Sequence, residues 1–423
     1  MKVFKFGGAS VRDAEAVKNV AEIIRLFPGD DIAVVVSAMG KTTNALERLT
    51  EAYFYKKEDP FEILKQIKDY HFNILNQLFQ NPNNPVFDDI NNTFVEIEWA
   101  IEDEPTGTFD FEYDQIVSVG ETVSSKILSA YLNESGIKNE WKDARDFIRT
   151  DNNYREGIID FDLSISLAES NLKPNFKSDS KNPYRIVTQG FIGGTSENFT
   201  TTLGREGSDY TASVLAYLLN AESLTIWKDV PGVLNADPKY FEKVVKLDHL
   251  SYRDSIELAY YGASVIHPKT IQPIQNKNIP LYVKSFINPR DPGTLVSNAS
   301  NELPVPCYIF KPNQVLITIM PTDFSFIVET NLKEIFRVFA EEKLKVNIMQ
   351  NSAISFSVAA NNDTRKVNAL IEKLSPQFKI QLNENVELIT IRHYNETILQ
   401  ALTLGKKILM EQKTKSVAQL VVS

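Results

Sequence analysis

Apolar runs typical of buried strands alternate with amphipathic helical patterns along most of the chain. The run at residues 32–37 is continuous, as expected for a strand that is buried on both faces of a parallel sheet. A shorter run precedes it at residues 3–6. Between the two runs, apolar side chains recur at helical spacing from Val17 to Ile24. Further strands are predicted at residues 184–192, 223–229 and 279–286. The alternation predicts one large α/β domain with a parallel sheet that ends near Val296.

One stretch interrupts the alternation. Two helical patterns lie on either side of an Asn- and Pro-rich segment at residues 81–85. They predict a helical insertion at about residues 55–110 that packs on the sheet and has a structural rather than a chemical role. His71 lies in this insertion, and we expect it to be a surface or packing residue rather than a ligand.

The pattern changes after Pro306. The elements predicted next are strands at residues 315–320, 346–350 and 354–359 and helices at 332–341 and 364–374. This compact βαββα series is typical of a ferredoxin-like module, here at 312–376. Three more strands are predicted at residues 386–392, 408–412 and 417–422. They indicate a partial second module at 384–423, without its last helix and strand, whose open sheet pairs with the first module or with another subunit.

Composition and charge limit the class of protein. The 423 residues carry a formal net charge of −10, which argues against nucleic acid or an anionic membrane as a partner. Cys307 is the one cysteine, so neither an intrachain disulfide nor a cysteine-rich metal site is expected. No apolar run is long enough to span a bilayer, and no signal-peptide pattern precedes the first strand. We therefore expect a cytoplasmic protein.

A glycine turn follows the first predicted strand. A strand, the Gly7-Gly8 turn and a helix amino terminus together form a potential anion site. The backbone amides of the turn would face the anion, and Lys5 would add a positive charge. Because many α/β crossovers use glycine only to turn the chain, this pattern alone leaves both interpretations open.

Polar residues also follow other apolar runs. Ser37 and Thr43 lie on a polar loop after a predicted strand, where they would either bind a substrate or cap a helix. Glu121 lies in the first turn of a helix, at a predicted strand-to-helix corner. A carboxylate there either complements the helix dipole or meets an amino group.

A second glycine-rich loop, at residues 200–209, leads into another helix. It holds three threonines together with Arg205, Ser208 and Asp209. Capping the helix would need only one of these side chains, so the loop is a candidate binding site. It lacks the pattern of a P-loop.

Six motifs occur in the order that is seen in aspartate kinases. They are Lys5-Phe-Gly-Gly-Ala-Ser10, Ser37-Ala-Met-Gly-Lys-Thr-Thr-Asn44, Ser118-Val-Gly-Glu121, Thr202-Leu-Gly-Arg-Glu-Gly-Ser-Asp209, Trp227-Lys-Asp-Val-Pro-Gly232 and Gly262-Ala-Ser-Val-Ile-His-Pro268. The chain therefore resembles the aspartate kinases along its whole length. The resemblance implies an amino-acid-kinase-like parallel-sheet sandwich domain at residues 1–298, followed by ferredoxin-like α+β modules of the ACT type, the second of them abbreviated.

The resemblance also implies the reaction. A monofunctional aspartate kinase transfers the γ-phosphoryl group of MgATP to the β-carboxylate of L-aspartate, giving 4-phospho-L-aspartate for lysine, threonine and methionine biosynthesis. ATP and Mg²⁺ would be the cofactors, with Mg²⁺ bridging the nucleotide phosphates and no metal ligands expected from the chain. The ACT modules could bind an amino-acid effector and would join the chain into a homodimer or homotetramer.

The resemblance assigns roles to individual candidates. Lys5 would bind the transferred phosphoryl group and Asp209 would organise the site, so these two are the catalytic candidates. The candidates for holding L-aspartate are Ser37, Thr43, Glu121 and Arg205. The candidates for binding ATP are Lys5, Gly7, Gly8, Ser10, Gly204, Gly207, Ser208, Lys228, Asp229, Leu234, Lys239 and Ser264. Arg205 could bind a carboxylate through two hydrogen bonds, and Glu121 could bind the ammonium group.

Some positions depart from the family pattern. Ser264 replaces a frequent lysine, Leu234 a common aromatic residue and Lys228 a common threonine, and Lys228 could partly supply the missing charge. In the ACT region, Asn351-Ser352-Ala353 replaces the Thr-Ser-Glu that lysine-inhibited relatives tend to carry. The missing carboxylate predicts weak or absent inhibition by lysine.

Other functions fit the sequence less well. Relatives with the same fold phosphorylate acetylglutamate, glutamate, carbamate or UMP, but Glu121, Arg205 and the ACT region favour aspartate. A fused homoserine dehydrogenase is not expected, because no dinucleotide-binding motif occurs. A non-catalytic amino-acid sensor would account for Ser264 and Leu234, whereas an intact Lys5 opposes it.

Overall fold

The structure is a computed structural model that describes residues 1–176, 181–263, 266–299, 305–323 and 325–423. The chain forms two compact units. The first comprises Met1–Val233, Asp248–Ile256 and Val265–Asn301, and the second comprises Leu234–Leu247, Glu257–Ser264 and Glu302–Ser423. The domain boundaries expected from the sequence, at residues 298, 312, 376 and 384, remain predictions.

The strands of the first unit form a mostly parallel sheet and a small hairpin. They are β1 (Lys2–Phe6), β2 (Ile32–Val36), β3 (Glu140–Lys142), β4 (Arg185–Gln189), β5 (Ile192–Gly194), β6 (Thr200–Thr202), β7 (Ser223–Lys228), β8 (His249–Ser251), β9 (Leu281–Ser285) and β10 (Thr294–Ser297). Within the described residues the main sheet has the order β3-β4-β2-β1-β7-β9-β10-β8. Strands β3 to β9 in this order pair in parallel, and β10 is antiparallel to β9. Strands β5 and β6 pair antiparallel in a separate sheet.

The helices up to Asn276 connect these strands. They are α1 (Ala14–Arg25), α2 (Thr42–Tyr55), α3 (Pro60–Leu78), α4 (Pro85–Glu102), α5 (Phe109–Val117), α6 (Val119–Glu134), α7 (Phe161–Asn171), α8 (Gly207–Leu219), α9 (Tyr252–Tyr261) and α10 (Pro268–Asn276). Strand β2 is buried at every position, because its Val and Ile side chains face helices on both sides of the sheet. Helix α1 begins where the Asp13 carboxylate accepts a hydrogen bond of 2.8 Å from the Ala16 amide.

The interruption in the strand pattern contains helices α3 and α4. Each helix begins with a side-chain cap followed by proline, Asp59 with Pro60 and Asn84 with Pro85. The apolar faces of both helices join the core of the first unit. His71 is fully buried there, and burial lowers its pKa to about 4, so it is a neutral packing residue.

Two local predictions for the first unit are wrong. The apolar run before Glu121 is not a strand, because helix α5 ends at Val117 and α6 begins at Val119. Residues 184–192 are not one strand either, because β4 ends at Gln189 and Ile192 belongs to β5. Short apolar runs fit a buried strand and a buried helix equally well, so periodicity could not separate them.

The second unit carries an antiparallel sheet with helices. Its strands are β11 (Cys307–Pro321), β12 (Val346–Asn351), β13 (Phe356–Asn361), β14 (Phe378–Arg392), β15 (Ile408–Lys413) and β16 (Val417–Val422). Its helices are α11 (Glu329–Glu341), α12 (Thr364–Leu374) and α13 (Glu396–Thr403). The described strands pair antiparallel in the order β12-β13-β11-β14-β16-β15. Helices α11 and α12 cover one core of this sheet, and α13 covers another.

Strand β11 completes the abbreviated second module. It begins at Cys307, eight residues before the predicted start at Val315, and its first residues pair with the end of β14, from Cys307 opposite Arg392 onward. The second module therefore takes its missing strand from the same chain, and its sheet is continuous with that of the first module. Asn313 and Asn385 adopt positive φ values of 52° and 56° at the bend between the two halves, a conformation that Asn tolerates well.

The order of the two kinds of sheet along the chain agrees with the sequence. A parallel sheet is followed by antiparallel modules, as predicted. None of the helices in the described parts of the chain is both long and apolar enough to cross a membrane.

Candidate active site

The candidate residues gather at one edge of the parallel sheet. Strands β1, β2 and β7 are neighbours in parallel register, so that Phe6 lies opposite both Val36 and Trp227. The loops that follow these three strands therefore leave the sheet on the same side. In open α/β sheets, the carboxyl ends of the strands form the ligand-binding edge.

Lys5, Asp209 and Lys228 form a charged cluster at this edge. The Lys5 Nζ atom lies 2.6 Å from Asp209 Oδ1, and the Lys228 Nζ atom lies 3.7 Å from Asp209 Oδ2. Burial by itself would raise the pKa of Asp209, but the two ammonium groups outweigh it and hold that pKa below its ordinary value. With two ammonium groups and one carboxylate, the Lys5–Asp209–Lys228 cluster attracts anions.

The glycine turn after β1 lies against this cluster. A Cβ atom on Gly7 would stand 3.3 Å from Lys5 Nζ, and one on Gly8 would stand 2.7 Å from the Ala38 carbonyl oxygen. Gly8 is therefore required because the loop after β2 approaches it so closely. The turn opens a short 3₁₀ helix, Gly8–Val11, and α1 begins only at Ala14, so the α-helix starts later than the sequence indicated.

Glu121 is a buried carboxylate with one open oxygen. It lies in the first turn of α6, at a helix-to-helix corner rather than the predicted strand-to-helix corner, and it is 2% exposed. The Ala38 amide donates a 3.3 Å hydrogen bond to Oε1, and Oε2 has no hydrogen-bond partner among the described residues. Burial raises the pKa of Glu121 to about 8, against the opposing effects of backbone amides and Lys5. Such a group is stabilised by a ligand that brings a positive charge.

Arg205 lies on the loop between β6 and α8. Its side chain is exposed, and the residues on either side of it, Gly204 and Glu206, adopt positive φ values of 75° and 55°. Gly207 begins helix α8, and Ser208 and Asp209 follow in its first turn. The loop thus presents the guanidinium to solvent while the first turn of α8 delivers Asp209 to the buried cluster.

Asp114 fixes the strand that leads to this loop, and sequence reasoning missed it. Its Oδ2 atom accepts hydrogen bonds from the amides of Thr202 (2.9 Å) and Arg155 (2.8 Å), and its Oδ1 atom accepts one from the Thr202 hydroxyl (2.7 Å). Burial raises the pKa of Asp114 to about 6, and the three donors oppose that rise. An aspartate beside the apolar residues Ile116 and Val117 of α5 was the available signal, because an acidic side chain is rarely buried without partners.

Three further candidates lie in the segments that follow β1 and β2. Ser37 directly follows β2, and its side chain is half-buried. Its carbonyl accepts a 2.7 Å hydrogen bond from the Ser124 hydroxyl. Thr43 is the second residue of α2, which has no side-chain cap, so neither candidate caps this helix. The Ser10 hydroxyl is buried and has no hydrogen-bond partner in the described parts of the chain.

The remaining nucleotide candidates are not brought together to the same degree. Asp229 directly follows β7 and is exposed. Leu234 and Lys239 belong to the second unit, where Leu234 pairs with Lys246 and the Lys239 amide donates to the Asp237 carboxylate at 2.9 Å. Ser264 lies outside the described residues.

The acidic side chains near the cluster do not form a metal site of their own. No group of three or more His, Cys, Asp or Glu side chains in the described parts of the chain could hold a metal ion. Asp209 already contacts two ammonium groups. A magnesium ion fits this site only as a complex in which substrate phosphates supply most of its oxygen ligands.

The sequence matches known proteins over most of the chain. The model of the amino acid kinase family matches residues 1–285. Lysine-sensitive aspartokinase 3 of Escherichia coli (strain K12) is 31% identical to this chain, over 96% of the chain and 89% of that relative.

Solved structures of the Escherichia coli aspartokinase III resemble the whole fold. Its complex with aspartate and ADP has a TM-score of 0.81 at 28% identity, and its complex with lysine and aspartate has a TM-score of 0.83 at 29% identity. Both comparisons cover 100% of this chain and 96% of the other. The predicted fold class, an amino-acid-kinase-like sheet domain followed by ACT-type modules, is thereby confirmed.

Proposed function

This chain belongs to the amino acid kinase family and, within it, to the aspartate kinases, and we propose that Glu121 and the Lys5–Asp209–Lys228 cluster carry its reaction. The reaction transfers the γ-phosphoryl group of ATP to the β-carboxylate of L-aspartate. One observation supports this assignment above all others. A buried carboxylate with an open oxygen lies close enough to a positively charged cluster for Lys5 to influence its pKa. The site therefore offers one place for a cation and another for an anion.

Glu121 binds the ammonium group of aspartate in this proposal. Its open Oε2 atom is buried, so a charged hydrogen bond there is stronger than one in water. Arg205 binds the α-carboxylate, because an exposed guanidinium can close over the substrate with two parallel hydrogen bonds. Ser37 and Thr43 add hydroxyl contacts. The β-carboxylate is then left to face the phosphoryl group.

The chemistry needs no general base. The β-carboxylate of aspartate is ionised at neutral pH, so one of its oxygens can attack directly. A new bond forms between this oxygen and the γ-phosphorus, the bond from that phosphorus to the bridging oxygen breaks, and ADP leaves with the bond's electron pair. Catalysis then consists of alignment together with stabilisation of charge on the transferred group.

Lys5 and Lys228 stabilise the transferred phosphoryl group and the phosphate it leaves. Asp209 lies between their ammonium groups and offsets part of their mutual repulsion, which keeps both side chains at the edge of the sheet. The amides of Gly7 and Gly8, next to Lys5, are the accompanying donors, and the buried Ser10 hydroxyl is a further one. Lys228 thereby supplies the second cation of this site.

ATP enters with Mg²⁺ in this proposal. The metal supplies charge neutralisation on the phosphate oxygens, and Asp229 is the nearest exposed carboxylate after β7 that could contact it. The remaining candidates for the nucleotide are Gly204, Gly207, Ser208, Leu234, Lys239 and Ser264. Their proposed role is to bind the phosphates and nucleoside.

Three broader properties belong to the same proposal. The antiparallel modules of the second unit bind an amino-acid effector and join two or four copies of the chain, as their exposed edge strands β12 and β15 would allow. The protein works in the cytoplasm, where its single cysteine stays reduced. Size-exclusion chromatography with light scattering measures the number of subunits.

Aspartate-dependent release of ADP from MgATP tests the proposed reaction. We expect turnover by the wild type, and Lys5→Met should lower kcat by about 10²- to 10³-fold because it removes a preorganised cation. Lys18→Met is the matched control, since Lys18 pairs with Glu15 on the exposed face of α1. A folded wild type without turnover would refute the function and favour an amino-acid sensor. Equal rates for Lys5→Met and Lys18→Met would refute the role of Lys5.

A further inference from the structure

Helix α3 of the insertion touches two loops of the site, and we propose that Tyr70 is a positioning residue that holds these loops in register for phosphoryl transfer. The first loop is the turn after β1, residues 7–12, and the second is the loop after β2, residues 37–41. This inference rests on the proposed function and adds a residue to it. It also extends the role of the insertion, which the sequence suggested to be structural.

Tyr70 contacts both loops with its hydroxyl group. The hydroxyl donates a hydrogen bond to the Arg12 carbonyl at the end of the first loop. It also lies so close to Gly40 in the second loop that a Cβ atom there would stand 2.7 Å from the hydroxyl oxygen. Gly40 also has a positive φ of 55°. Both this backbone conformation and the close approach of the Tyr70 hydroxyl favour glycine at this position. One hydroxyl therefore fixes the spacing between the loops.

The same two loops hold the groups that act on the substrates. The Gly40 amide donates a 3.0 Å hydrogen bond to the Gly8 carbonyl, which joins the second loop to the phosphate-binding turn. The Ala38 amide donates to Glu121, which joins the second loop to the ammonium-binding carboxylate. A shift of Gly40 would consequently move the two halves of the site relative to each other.

The neighbouring residue His71 anchors the end of the second loop. Its Nδ1 atom donates a 2.7 Å hydrogen bond to the Ile67 carbonyl, and its Nε2 atom lies 3.3 Å from the Thr42 hydroxyl. That hydroxyl in turn donates a 2.7 Å hydrogen bond to the Met39 carbonyl. Two consecutive side chains of α3 thus contact the second loop at Gly40 and its entry into α2 at Thr42.

Alignment is the quantity that this contact controls. Direct attack by a carboxylate needs no proton transfer, so the rate depends strongly on how the donor and acceptor oxygens are positioned. A neutral hydrogen bond has a modest net value, equivalent to about a 3- to 10-fold change in an equilibrium or rate constant. We therefore expect Tyr70→Phe to lower kcat/KM for aspartate by about 3- to 10-fold while KM for ATP stays within about twofold.

Steady-state kinetics and hydrogen–deuterium exchange on the full-length Tyr70→Phe protein test the proposal. The exchange of amides at residues 8–12 and 38–42 should become faster, because Gly40 loses the contact that restrains it. Tyr184→Phe is the matched control. The Tyr184 hydroxyl donates to the Glu140 carboxylate at 2.8 Å, and Tyr184 precedes β4 at the opposite, amino-terminal edge of the sheet.

The outcomes are distinguishable. A selective loss in kcat/KM for aspartate with local acceleration of exchange, absent in Tyr184→Phe, supports the positioning role. A lower thermal midpoint with unchanged kcat and KM values identifies a purely structural residue and overturns it. An active wild type with an unaltered Tyr70→Phe variant overturns this inference alone, whereas an inactive wild type overturns the proposed function and this inference with it.

Discussion

The efficiency with which the enzyme uses aspartate should rise with pH, because Glu121 must be ionised to bind an ammonium group. Before aspartate binds, burial is the largest influence on this carboxyl and raises its pKa to about 8. A protonated Glu121 offers the ammonium group no negative charge. Near neutral pH, the binding of aspartate must therefore displace a proton from Glu121, and that displacement lowers the apparent affinity.

The size of the effect follows from the pKa. With a pKa of about 8, the ionised fraction of Glu121 is about 1% at pH 6, about 10% at pH 7 and about 90% at pH 9. The value of kcat/KM for aspartate should accordingly rise about tenfold between pH 6 and pH 7 and level off above pH 8. Below pH 8, calorimetry in buffers of different ionisation enthalpy should detect proton release on aspartate binding.

Glu121→Gln is the matched control for this titration. It keeps the shape of the side chain and leaves every other titrating group in place. A hydrogen bond between charged groups contributes about 1.5–3 kcal/mol, so at pH 9 the variant should be about 10- to 150-fold less efficient with aspartate. At pH 7 this gap should be about tenfold smaller, because most of the wild-type carboxyl is protonated there.

This prediction is tested by measuring kcat/KM for aspartate of the wild type and Glu121→Gln from pH 6 to pH 9, at saturating MgATP and constant ionic strength. Two curves that run parallel from pH 6 to pH 9 would refute the reasoning, because the pH dependence would then come from another group. A flat wild-type profile would refute it as well. Circular dichroism and thermal unfolding of both proteins establish that the comparison concerns folded enzyme.

Two other predictions concern the loop before α8 and the regulatory region. Asp114→Ala should lower the free energy of unfolding by about 1–3 kcal/mol and raise KM for aspartate, because it leaves the buried amide of Thr202 and the partly buried amide of Arg155 without an acceptor. Asp114→Asn should change the free energy of unfolding by less than about 1 kcal/mol, since its amide can still accept from both donors and donate to the Thr202 hydroxyl; urea unfolding compares the two, and similar losses would contradict this explanation. Lysine should inhibit weakly or not at all, because Ala353 offers no side-chain carboxylate for its ammonium group, and calorimetric binding of lysine at micromolar concentration would contradict this prediction.

The parallel sheet was predictable because its signal is local. Strand β2 is a short continuous apolar run, and β1 carries Val3, Phe4 and Phe6 beside its two lysines; such segments fit the middle of a sheet that helices cover on both faces. The motifs that follow these strands could also be predicted to form a binding edge, because their signal is local as well. The sequence placed Lys5 beside the glycine turn, and in the structure its ammonium group lies against Gly7.

The errors occurred where local signals were ambiguous or partners were distant. Helix α5 carries a short apolar run that fits a strand equally well, so Glu121 was assigned to the wrong kind of corner. The early start of β11 depends on pairing between Cys307 and Arg392, which are far apart in the sequence. No local pattern contains that information.

The sequence by itself determined the central strands of the parallel sheet and most of the helices around them, because hydrophobic periodicity and turn chemistry act over a few residues. It also determined the chemical types at the binding edge, from the lysine after Phe4 to the aspartate that follows Ser208. Only the tertiary structure decided that Lys228 meets Asp209, that Glu121 keeps an open oxygen and that Tyr70 touches Gly40. Those contacts join segments that are distant in the chain, so they arise only when the strands and helices pack together.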